Sequence, residues 1–90
     1  MTPSGANESD VSDTGTVVTS TVRLAVLVRN RRTALGLTQA DLAGLGGVGN
    51  RFIVDLERGK PTLQLQKVLM VLDLLGLEVA LRPRSTASAR

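Results

Sequence analysis

Ninety residues with 42% hydrophobic content allow one small folded domain, and a single aromatic residue, Phe52, leaves Leu, Val and Ile to build its core. Without Cys or His the chain has no disulfide, thiol nucleophile, zinc site of the usual ligands or Ser-His-Asp triad, and no Gly-rich phosphate loop follows a strand, so a non-enzymatic protein without metal or cofactor is expected. The formal charge is +3, but Glu8, Asp10 and Asp13 precede position 14, and the remainder carries eleven basic against five acidic side chains, a net of +6 that suits a polyanionic partner.

Residues 1–18 are rich in Ser, Thr, Gly, Asp and Asn without sustained periodicity, and read as a disordered, solubilising tail in which Val17 and Val18 make at most a local contact. The main domain is expected over 19–76. Its first helix begins near Thr19, Ser20 or Thr21, each able to cap it, and runs to Leu35, with Gly36 as a left-handed terminator. Leu24, Leu27 or Val28, Arg31 and Leu35 fall along one side, while Arg23 and Arg29 belong to a solvated face.

Thr38 caps a second helix over about 39–45, whose apolar side is Leu42, Ala43 and Leu45. A glycine run stops it. Gly47 is the expected pivot at positive φ, and Ala43 leaves room for a neighbouring helix to cross closely. A third helical pattern starts at Asn50, with Phe52, Ile53 and Leu56 directed to the core. Gly59 closes it, and Pro61 prevents its continuation.

The fourth helix, about 65–75, carries Leu65, Val68, Leu69, Val71, Leu72 and Leu75 over an arc too wide for one neighbour, so a second burial partner is expected. Gly76 ends it. Over 77–82 the residues Leu77, Val79 and Leu81 alternate with Glu78, Ala80 and Arg82, a period-two strand signal whose competitor is a short fifth helix. A lone strand needs another chain for its ladder, and the simplest donor is a second copy across a two-fold axis. Residues 83–90 read as a flexible tail. Neither a charge-free apolar run of membrane-spanning length nor a secretory signal is present, which makes the cytoplasm the default location.

The positions Thr38-Gln39, Leu42-Ala43, Gly47-Val48, Ile53, Leu56-Glu57 and Gly59 together resemble the helix-turn-helix of the XRE family, the lambda-repressor and Cro-like DNA-binding domains. The resemblance implies an all-α, lambda-repressor-like helix-turn-helix domain of four helices, here followed by a C-terminal β-strand that pairs in a homodimer. It also implies that Arg32 reaches Glu57 as a structural ion pair between the first and third helices. The E-R-G-K-P-T-L connection, the apolar last helix and the terminal strand are most similar to HipB-type antitoxins. That likeness implies repression of the protein's own operon and a HipA-type kinase toxin as partner. A stand-alone XRE regulator without a toxin, and an interaction module that has lost DNA binding, are the competing readings.

A major groove admits one α-helix, and the start of the third helix would present Asn50, Arg51, Val54 and Asp55 to base edges. Arg51 suits guanine O6 and N7, Asn50 an adenine edge and Val54 a thymine methyl. Asp55 either accepts from cytosine or orients Arg51. Thr38 and Gln39 at the positive end of the second helix, with Arg58 and Lys60 beyond the third, are the expected phosphate contacts, and Gln39 is also placed to brace Asn50. Two features depart from the family pattern. Gly49 lacks a capping hydroxyl, and Gly46 with Gly44 suggests a loosely held second helix. A homodimer would read inverted half-sites on double-stranded DNA, spaced by about 34 Å or a multiple of it.

Overall fold

The computed structural model describes residues 15–84. They form four helices, α1 (Thr21–Ala34), α2 (Gln39–Gly46), α3 (Asn50–Glu57) and α4 (Leu65–Leu74). Of the three candidate caps for α1, Ser20 serves: its Oγ accepts the Arg23 N–H at 3.0 Å. At α2, Thr38 forms a full capping box, its Oγ1 accepting from Asp41 N and its own N–H donating to Asp41 Oδ2, both at 2.9 Å.

All four helices end alike. The residue after the last helical turn is Gly36, Gly47, Gly59 or Gly76 at positive φ, and the next residue's N–H returns to a carbonyl five positions back, as in Leu37 to Arg32 and Leu77 to Leu72. This is the Schellman closure. It also directs an apolar residue inward at three of the four ends, since Leu37, Val48 and Leu77 pack against the core.

That core is Val28, Leu42, Ala43, Ile53, Leu56, Val68, Val71, Leu72 and Leu75, with Phe52 packed at its margin as expected. α3 lies against both α1 and α2, and α2 also meets α4. Two apolar assignments are corrected. Leu35 is the C-cap of α1 and stands 46% exposed, because it lies past the last turn rather than on the buried side. Leu45 is 62% exposed, because α2 turns Leu42, Ala43 and Gly46 toward its neighbours instead. At Gly46 a Cβ would lie 3.1 Å from Leu74 Cδ1, so the missing side chain permits close approach of α2 to α4.

Arg31 was expected on the apolar side of α1. Its backbone is there, but the guanidinium reaches 44 residues along the chain, where Nε donates to the Leu75 carbonyl at 2.7 Å and caps the end of α4. The wide apolar arc of α4 is only half used: Val68, Val71 and Leu72 are buried while Leu65, Leu69, Met70 and Leu74 remain exposed.

Residues 77–84 are neither helix nor strand, so the fifth-helix alternative is not found, and the expected strand is absent from the single chain. The physical reason is that no described segment offers it a ladder. Leu77 is half-buried; Val79 and Leu81 are exposed. The two expected tails fall mostly on 1–14 and 85–90, outside the described residues. Among the described residues no helix is long and apolar enough to cross a membrane.

Candidate nucleic-acid interface

The outer side of α3 is built on a short, well-anchored helix. Ile53 and Leu56 fasten it to the core, which leaves Asn50 and Arg51 exposed in its first turn and Val54 half-exposed one turn later. Gly49 is the N-cap and supplies no side-chain bond, as its identity predicted.

Asp55, considered either as an acceptor from cytosine or as a partner of Arg51, lies against Arg51 in this structure. Its side chain is only 13% exposed and lies between two cations, with Oδ1 3.3 Å from Arg51 Nε and Oδ2 3.7 Å from Lys60 Nζ. One carboxylate therefore aligns a base-reading candidate and a phosphate-contact candidate on the same side of α3. The Arg51 side chain remains 77% exposed, and its contact to Asp55 uses Nε.

A second cluster lies behind the first. Arg32 and Glu57, whose side chains are 11% and 4% exposed, form the expected ion pair in bidentate geometry: Nε to Oε2 at 2.6 Å and Nη2 to Oε1 at 2.9 Å. Arg32 Nη1 also donates to the Leu37 carbonyl at 2.7 Å. The hydrogen bond to Glu57 raises the Arg32 pKa above its ordinary value; burial opposes this, and the charge of Glu57 adds to it. Gln39 is corrected here. Its Nε2 donates to Glu57 Oε1 at 3.1 Å and not to Asn50, because the buried carboxylate has an acceptor position left over and lies within reach of the first turn of α2. Gln39 thus fixes the start of α2 to α3.

Asp41 was missed at the sequence level, although Thr-x-x-Asp ahead of an apolar run is its signature. The Thr38 N–H first and the Thr38 hydroxyl second hold its carboxyl below the ordinary value of 3.8. A folded-state value lower than the unfolded one contributes stability that is present above pH ~4 and is lost as pH falls through the folded value. Asp41→Asn should therefore lower the melting temperature at neutral pH and converge with the native chain as the pH falls below the folded-state value. Parallel melting curves across that range would contradict the cap assignment.

The helix-turn-helix family HTH_3 matches residues 28–81, well over half of the chain and all of α2 and α3. The chain belongs to the XRE-type helix-turn-helix family. Its members are DNA-binding transcriptional regulators. The uncharacterized HTH-type transcriptional regulator y4mF of Sinorhizobium fredii (strain NBRC 101917 / NGR234) is 55% identical over 56 residues, which cover 62% of this chain and 74% of that protein. Among solved structures, a chain of a HipA-HipB-O2-O3 complex superposes with a TM-score of 0.71 at 25% identity, covering 77% of this chain and 97% of its own. A HipB-O4 20mer complex gives the same values. The restriction-modification controller protein C.AhdI from Aeromonas hydrophila follows with a TM-score of 0.59 at 33% identity over 64% of this chain and 88% of its own.

The XRE-type fold of this chain is HipB-like in its four helices. Within it, the sequence-predicted site residues divide into two groups. Arg51, Asp55 and Lys60 converge, and Gln39 joins Arg32 and Glu57. Thr38 is committed to its capping box, while Arg58 stands exposed at the end of α3.

Proposed function

We propose that this protein is a sequence-specific DNA-binding repressor that acts as a homodimer on an inverted-repeat operator, and that it is the HipB-like antitoxin of a HipA-type kinase. The observation that carries the DNA reading is the first turn of α3, where Asn50 and Arg51 are exposed and Arg51 is aligned by a mostly buried Asp55. An interaction module that had lost DNA binding would be marked by the absence of basic and amide side chains here.

In this reading Asn50, Arg51 and Val54 contact base edges, and Asp55 positions Arg51. The Gln39 amide, Arg58 and Lys60 face the sugar-phosphate chain, and Thr38 places the amino end of α2 against it. The second copy covers the exposed Leu65, Leu69, Met70 and Leu74 of α4 and pairs residues 77–82 with its own, which gives Leu77, Val79 and Leu81 a ladder and a buried face. The antitoxin part rests on the likeness to HipB, which was solved together with HipA. A regulator without a toxin is the second reading, and a HipA-like kinase gene beside this one would decide against it.

Fluorescence anisotropy with DNA from the region upstream of the gene, against a scrambled competitor at two salt concentrations, tests the central claim. Tight binding with two chains per duplex is expected. Arg51→Ala should cost about 1–3 kcal/mol on the operator and relax base preference. Lys60→Ala should weaken both DNAs alike and reduce the salt slope by about 1. Equal behaviour of the two variants would remove the base-reading assignment.

A further inference from the structure

A concavity of about 440 Å³ opens between α1, the start of α2 and the end of α3, lined by Arg29, Arg32, Gln39, Val54, Glu57 and Arg58. We infer that this hollow is the seat of a single DNA backbone phosphate and that Arg29, which the sequence places on a solvated face, is one of its two guanidinium arms, with Arg58 as the other. The inference rests on the DNA-binding reading and adds a residue and a place to it.

Charge is the first reason. Glu57 would repel an anion if it stood alone, but Arg32 takes both of its oxygens and Gln39 donates to one of them, so its charge is neutralised within the wall. What remains is two positive charges, those of Arg29 and Arg58. Both residues are exposed, and neither side chain has a hydrogen-bond or ion-pair partner among the described residues. A guanidinium left without a carboxylate beside a concave surface has its fork of donors available for a phosphate.

Position is the second reason. Val54 belongs both to this lining and to the outward stripe of α3 that starts at Asn50 one turn earlier. The hollow therefore adjoins the base-reading side directly. A duplex whose major groove receives the start of α3 has a phosphate strand bordering that groove, and the hollow is where this strand would rest. Gln39 brings the amino end of α2 to the same edge.

The test uses the full chain and operator duplexes in which single backbone phosphates are replaced by neutral methylphosphonates, one position at a time. Arg29→Gln should leave helix content and melting temperature unchanged, since the side chain holds nothing in the free protein. It should weaken operator and scrambled DNA by the same factor and make the affinity loss between 50 and 200 mM salt about threefold smaller. One methylphosphonate position should weaken the native chain more than it weakens either Arg29→Gln or Arg58→Gln, each of which keeps one arm on that phosphate. If Arg29→Gln binds with the native salt slope, or if the two variants map to different phosphates, the seat is overturned while the repressor reading stands. Failure of the native chain to bind any DNA would overturn both.

Discussion

Replacing Glu57 by Ala is expected to destabilise the domain by about 1–3 kcal/mol, the cost of removing a hydrogen-bonded carboxylate from a charged partner in a partly buried site. Glu57 accepts two bonds from Arg32 and one from Gln39, and Arg32 in turn holds the Leu37 carbonyl in the turn between α1 and α2. One side chain thus joins α1, the start of α2 and the end of α3. Removing it strands the Arg32 guanidinium, whose side chain is only 11% exposed, and loosens the helix-turn-helix from α1. Domains of this size are stable by only about 5–15 kcal/mol, so the variant should lose a large share of its folded population on mild heating. Urea denaturation measures the loss. The double variant Arg32→Met with Glu57→Leu should recover most of it, because the pair's attraction is largely offset by its desolvation. A loss below about 1 kcal/mol for Glu57→Ala would mean that water reaches the pair and screens it as at a surface.

Gly59→Ala should cost about 2–6 kcal/mol, from two sources that can be separated. Gly59 has φ of 82°, a left-handed conformation in which a side chain is strained by about 1–3 kcal/mol. It is also buried against the first turn of α1. A Cβ there would lie 3.1 Å from Val22 Cα and 3.4 Å from Val22 N, and backbone cannot swing aside as a side-chain tip does. Forcing the two segments apart adds about 1–3 kcal/mol of overpacking. Gly36 supplies the control, since its φ of 75° is similar but nothing lies within 4 Å of its missing Cβ. Gly36→Ala should show the conformational cost alone. Equal losses at the two positions would show that α1 yields to the added methyl. The same displacement would shift Arg58 and Lys60, which flank Gly59, so Gly59→Ala should also weaken DNA binding beyond its effect on stability.

Local signals made most of the architecture legible. Helix starts depend on a hydroxyl or carboxylate within three residues, and helix ends on a glycine that tolerates positive φ, so Ser20, Thr38, Gly36, Gly47, Gly59 and Gly76 could be read in place. The family spacing carried the long-range Arg32–Glu57 pair as well, which no local rule reaches. Asn50 and Arg51 were readable for the same reason, because the first turn of the third helix is exposed wherever Ile53 and Leu56 are buried.

Side-chain direction was settled only by how the helices cross. The sequence by itself determined four helices, their caps, the apolar residues available for a core and a family of DNA-binding domains. The tertiary structure decided which apolar residues turn outward, so that Leu45 is exposed while Gly46 meets Leu74. It gave Gln39 to Glu57, sent Arg31 to the end of α4, set Asp55 between Arg51 and Lys60, and brought Arg29 beside Arg58. Each of these joins groups that are distant in the chain or depends on which acceptor is left unfilled after closer partners are served. Caps and turns are set by neighbours within a few residues, whereas these contacts are set by crossing angles and by competition for buried charge.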